Sequence, residues 1–266
     1  MATANVFSIF AEEAAAGIFA FLPLVSVKEG GRRFFEVSIA IGATSLAAAL
    51  GVRLVAGLEP DMLHRGALVA GFVGLALSIV ALRIVRGPDF LRARPWLAAA
   101  GAAGGGALVA EALALSPGSP LPVAAVLFVP SLLAGAALMG SVLLAMILGH
   151  FYLVIPRLTI DPLRRLTNGY LGSILARLVV AGAVLALAWP LEVEPGRSLL
   201  LDQATILAPR ALFGLAGPLL LCFLARGTVA IKSTQSATGI LYGATVLVVF
   251  GELAASWLAV NARLPI

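Results

Sequence analysis

The stretch LYGATVLVVFGELAASWLAV, Leu241 to Val260, decides how the rest of the chain is read. At about 1.5 Å of rise per residue it matches the roughly 30 Å hydrocarbon core of a bilayer. Glu252 lies inside it. An ionised side chain at that depth costs roughly 3 kcal/mol even on the mildest scale, so an intramembrane acid marks a site unless it is paired or wetted. Gln235, Thr238, Tyr242, Thr245, Glu252 and Ser256 recur at steps of three, four or seven, which puts a polar track on one face of this last helix. The track is either a functional path or a seam of hydroxyls gluing helices together.

Working outward, seven further apolar stretches of similar length appear: Asn5–Val27, Phe34–Gly57, Gly66–Val85, Trp96–Ser116, Pro122–Ile155, Leu166–Pro190 and Ile206–Ala225, with the last span over Ala237–Val260. Hydrophobic residues make up 61% of the 266 and charged residues 12%, against roughly 45–50% and 25% in soluble domains. The fold class is therefore an all-α integral membrane protein with eight transmembrane helices. A transmembrane barrel is excluded, since its strands would run about ten residues with period two. No basic residue precedes Lys28, and Glu12 and Glu13 interrupt the first apolar run, so this segment reads as a retained helix and not a cleaved signal.

Lysine and arginine are unevenly distributed between loops. Those after helices one, three, five and seven hold Lys28, Arg32, Arg33, Arg83, Arg86, Arg92, Arg94, Arg157, Arg164, Arg165, Arg226 and Lys232; the opposite side has Arg53, Arg65, Arg197 and Arg263. The positive-inside rule then puts both termini on the non-cytoplasmic side of a multi-pass protein of the cell inner (cytoplasmic) membrane. The net charge of +5 is a topology signal and gives no support to nucleic-acid binding. Cys222 stands alone, which rules out an intrachain disulfide and a CxxC redox pair.

A four-helix unit is read twice, as two parallel repeats over residues 1–120 and 121–266. Arg65-Gly-Ala-Leu opens helix three and Arg210-Ala-Leu-Phe opens helix seven; Glu111 in helix four and Glu252 in helix eight take equivalent places; Gly17 matches Gly135 and Gly31 matches Gly149. Parallel duplication is an established way to build membrane bundles, with function at the repeat interface.

The candidate site follows from the ionisable residues inside spans. Glu12, Glu13, Glu111 and Glu252 are expected in one half of the membrane with two cations, Arg177 and Arg210, so up to two acids are left over as proton carriers. Arg177 is expected to pair with Glu252 or with Glu12 and Glu13, beside the hydroxyls of Thr245 and Ser256. The same residues could equally clamp the helices together. His150, Tyr152 and Arg157, at the basic end of helix five, offer donors to a quinone or a lipid headgroup, or form an interfacial anchor. His64 and His150 are expected on opposite sides and cannot share a haem iron. No P-loop, HExxH or GxSxG motif occurs, and no metal ligand set or catalytic residue is assigned. Gly104-Gly105-Gly106 reads as a packing surface.

Eight helices in two four-helix units, without haem ligands, resemble the quinol-handling membrane subunits of polysulfide-reductase-type complexes. The resemblance is one of topology and transfers no residue. The expected function is an integral membrane subunit of an electron-transfer complex, binding quinone or conducting protons, with redox centres on partner chains. On this reading the partners are the lipid bilayer and other redox subunits. No cofactor is held by this chain alone, quinone excepted, and it is not catalytic by itself. The alternatives are a small-solute or ion transporter with an intramembrane Glu/Arg coupling site, and a structural or assembly subunit.

Overall fold

The computed structural model describes residues 2–57, 62–118, 126–155, 158–192 and 202–266. Among these it is helical throughout, without strands, and eight helices are long and apolar enough to cross a membrane. They are α1 (Ala2–Phe21), α2 (Arg32–Ala56), α3 (Met62–Arg86), α4 (Ala93–Leu115), α5 (Phe128–Val154), α6 (Asp161–Glu192), α7 (Ala204–Ala230) and α8 (Thr234–Trp257, continuing to Ala262). The first helix is shorter than its apolar run suggests. Pro23 ends it in a single 3₁₀ turn, and Ser26 and Glu29 then form a capping box over the short helix Val27–Gly30. α2 ends on Gly57 at φ 59°, the left-handed terminus that glycine adopts without a Cβ penalty.

Each set of four helices makes the same choice of neighbours. α1 packs on α2 and α4, and α3 packs on α2 and α4; α5 packs on α6 and α8, and α7 packs on α6 and α8. The two sets meet chiefly where α1 lies against α5, flanked by contacts of α4 with α5 and of α1 with α8. Burial follows this plan. The apolar windows of α1 and α5 are 72% and 78% buried, and those of α3 and α7 only 28%. The outer helices carry Val69, Phe72, Leu220 and Phe223 exposed, an apolar surface that lipid would cover.

Small residues set the central crossing. A Cβ on Gly17 would collide with the Ala136 carbonyl and the Gly140 backbone, and one on Gly140 would collide with Gly17. Backbones can approach this closely only without side chains, and in lipid such packing replaces the hydrophobic drive between helices. Gly101 and Gly104 likewise seat α4 on Phe19, Ala20 and Ala16 of α1, whereas a Cβ on Gly106 would meet nothing. Only part of the triple-glycine run is therefore a packing surface.

Candidate functional site: a buried acid and guanidinium network

The two central helices bring the charged residues together. Glu12 and Glu13 are consecutive on α1, so their side chains leave the helix about 100° apart and enter two different clusters. Both are buried.

Glu12 faces α2 and α4. Arg53 Nη2 donates to Glu12 Oε2 at 2.9 Å, and its Nη1 pairs with Glu111 Oε1. All three side chains are buried. This corrects the sequence reading, which placed Arg53 with the outer loops and counted only Arg177 and Arg210 inside helices. Arg53 shares the inward face of α2 with Leu46, Ala49 and Leu50, seven, four and three residues earlier, and that periodicity is the signal that could have found it.

Glu13 faces α5 and α8. Its Oε1 and Glu252 Oε2 lie 2.6 and 2.8 Å from the point where a Cβ on Gly135 would stand, so the two carboxyls close around that glycine. Glu252 is engaged from two sides. Arg177 reaches it through Nη2 to Oε2 at 2.9 Å and Nε to Oε1 at 3.3 Å, a bidentate fork. Arg210 Nη2 lies 3.1 Å from Oε1, within ion-pair distance but not aligned as a hydrogen bond. Arg177 Nη1 also donates to the Ser131 hydroxyl at 2.5 Å and carbonyl at 3.0 Å, and its Nη2 to the Ile266 backbone oxygen at 3.3 Å.

Local chain geometry explains how α7 delivers Arg210. Pro209 precedes a π-helical segment, Arg210–Ala216, and Pro218 follows it. Within the π-helical segment the bonds run five residues back, as from the Gly217 N–H to the Leu212 carbonyl. Arg210 Nη1 donates to the Gly214 carbonyl at 3.2 Å. The Pro218 carbonyl in turn accepts from the buried Tyr170 hydroxyl at 2.6 Å. Gly214 and Gly251 let α7 and α8 touch at this level, since a Cβ on Gly251 would stand 3.0 Å from Arg210 Nη1.

Four carboxyls thus share three guanidiniums. Among the described residues no guanidinium forms an ion pair with Glu13, and Glu12 must share Arg53 with Glu111. Glu12 Oε1 and Glu13 Oε2 are buried without a hydrogen-bond partner. With Arg53 included, the surplus falls from the expected two acids to one.

The polar track on α8 is narrower than its spacing suggests. Thr238, Thr245, Glu252 and Ser256 are buried, but Gln235 and Tyr242 are exposed. Thr245 Oγ1 donates to the Leu241 carbonyl at 2.8 Å, a bond within its own helix, and Ser256 Oγ is buried without a partner. The residues expected at a quinone or headgroup do not gather either. The Tyr242 hydroxyl lies 3.1 Å from His150 Nδ1, the Tyr152 hydroxyl donates to the Thr159 carbonyl, and Arg157 lies outside the described residues. Among the described residues no group of three or more His, Cys, Asp or Glu could hold a metal ion.

Comparison with family models, curated proteins and solved structures finds no match. The likeness to polysulfide-reductase-type subunits therefore rests on the helix count and on the duplication expected from the sequence.

Proposed function

We propose that this chain is a proton-handling integral membrane subunit, serving an electron-transfer complex whose redox centres lie on partner chains in the cytoplasmic membrane. The observation that carries this reading is the enclosure of four carboxyls with three guanidiniums. A net charge shut away from water is far costlier than a neutral set, so one proton is held on the α1 pair, Glu12 and Glu13. Because these neighbours face different clusters, a proton passing between them links Glu111 and Arg53 to Glu252, Arg177 and Arg210. Glu252, engaged by two arginines, serves as fixed counter-charge, and Ser256, with its unused hydroxyl, and Thr245 line the same face.

The second half of the proposal is a duplicated architecture over residues 1–120 and 121–266, both termini non-cytoplasmic. It is supported by the matching neighbours of the two helix sets and by one shared arrangement. In each, an arginine of the second helix binds the fourth-helix glutamate and a side chain of the first: Arg53 with Glu111 and Glu12, Arg177 with Glu252 and Ser131. The boundary between the halves falls outside the described residues.

A quinone has a more suitable seat than His150 and Tyr152. An apolar cavity of about 360 Å³ lies between α7 and α8, lined by Pro209, Phe213, Val246, Phe250 and Gly251. Gly251, part of its lining, also stands against Arg210, whose Nη1 lies 3.0 Å from where a Cβ there would be.

The test is purification from native membranes in mild detergent, followed by redox-linked proton uptake in liposomes. Copurifying redox chains, with Glu13→Gln protein that assembles normally but loses uptake, support the proposal. A solitary chain whose stability responds to a small solute supports the transporter reading instead. Assembled Glu13→Gln and Glu12→Gln proteins with full uptake contradict the proposal.

A further inference from the structure

A second region draws its charge from residues the buried network does not use. The start of α6 and the end of α7 enclose a cavity of about 360 Å³ lined by Arg164, Thr167, Asn168, Phe223, Arg226 and Gly227. A neighbouring cavity of about 530 Å³ shares Arg164 and adds Asp161, Lys232 and Thr234. Three cations face this cleft against one carboxylate. Asp161 holds Arg164 only loosely, 3.4 Å away with both side chains largely exposed, a geometry worth little in water. Arg226 and Lys232 enter no ion pair with the described residues.

Lys232 adds an independent observation. It forms the turn between α7 and α8 at φ 59°, in the left-handed region that disfavours every side chain and that glycine would take freely. A lysine kept there brings its ammonium to the cleft against a conformational cost, which points to a use for the charge.

The lower wall is apolar and leads away along one side of α7. Leu220, Phe223 and Leu224 are exposed and, with Gly227, fall on one helix face at steps of three, four and seven. A Cβ on Gly227 would meet nothing within 4 Å, so the cleft is open at that level.

We propose that this cleft binds an anionic phospholipid, its phosphate held by Arg164, Arg226 and Lys232 with Asn168 donating, and an acyl chain lying along Leu220, Phe223 and Leu224. Basic pockets between helices at the cytoplasmic leaflet recognise such headgroups. Soluble phosphate has the same head chemistry, but the apolar stripe continuing from the cleft selects the lipid. The inference does not depend on proton handling.

The test is native mass spectrometry of the detergent-extracted full chain, titrated with phosphatidylglycerol and with phosphatidylcholine of the same acyl chains. The wild type should retain phosphatidylglycerol preferentially, and Arg226→Gln/Lys232→Gln protein should lose that retention roughly thirty-fold. Lys232→Gly separates binding from folding: it should weaken retention while leaving the thermal midpoint unchanged or higher. Equal retention of the two lipids by the wild type, or an undiminished preference in the double variant, overturns the proposal. Displacement of phosphatidylglycerol by millimolar inorganic phosphate also overturns it, in favour of a soluble-anion site.

Discussion

Glu12 and Glu13 are adjacent on α1 yet belong to different ion clusters, Glu12 to the Arg53 and Glu111 set and Glu13 to the pocket it shares with Glu252 around Gly135. The enclosed helix α1 is therefore also where the two ion clusters meet. One residue of helical rotation separates a path from two unconnected pairs.

Arg53→Gln should destabilise the protein by about 3–5 kcal/mol, because it leaves two buried carboxyls without a cation. Combining it with Glu12→Gln and Glu111→Gln should recover most of that loss. Thermal denaturation in detergent followed by size-exclusion chromatography measures both. Arg53→Gln protein as stable as the wild type would place Arg53 outside the network.

Glu252→Gln strands two guanidiniums, Arg177 and Arg210, and should lower stability in the same assay more than Glu13→Gln does. The comparison separates a counter-charge from a proton carrier. Equal stability of the two variants would contradict the division of roles.

Gly135→Ala puts a methyl within 2.6 to 2.8 Å of both carboxyls around it and should depress proton uptake by displacing them. Gly106→Ala, where a Cβ meets nothing within 4 Å, should be neutral. Undiminished uptake in Gly135→Ala protein would show that the carboxyls need not meet there.

Cysteines introduced by Gly118→Cys and Gly196→Cys should react with an impermeant thiol reagent from outside the cell, and one from Ser233→Cys should not. Cys222 is fully buried and gives a silent background. The reverse labelling pattern would invert the orientation.

How much of this was legible in the sequence depends on the residue. Span length and composition gave all eight helices, because hydrocarbon thickness constrains helix length strongly. Glu12, Glu13, Glu111, Arg177, Arg210 and Glu252 were found because ionisable residues in apolar runs are rare and costly. Arg53 was missed since it stands one turn from the end of α2, where an arginine ordinarily reaches the interface. Only its register with Leu46 and Leu50 reveals it as inward-facing. Gly135 carries no charge, and its role arises solely from side chains on two other helices. The α8 track was overextended because a polar residue at heptad spacing does not by itself tell a buried face from its exposed margin, as Tyr242 shows. The fork of Arg177 on Glu252 was anticipated; the bond of Arg210 to the Gly214 carbonyl was not, since it depends on the π-helical path of α7.

The central claim is that the α1 pair holds the proton that three guanidiniums cannot replace. Infrared spectroscopy of the purified protein at neutral pH tests it most directly, by comparing the wild type with Glu12→Gln/Glu13→Gln protein. The account predicts the C=O stretch of a protonated carboxyl in the wild type and its loss in the double variant. A wild-type spectrum without that band, or a band that survives the double substitution, would contradict it.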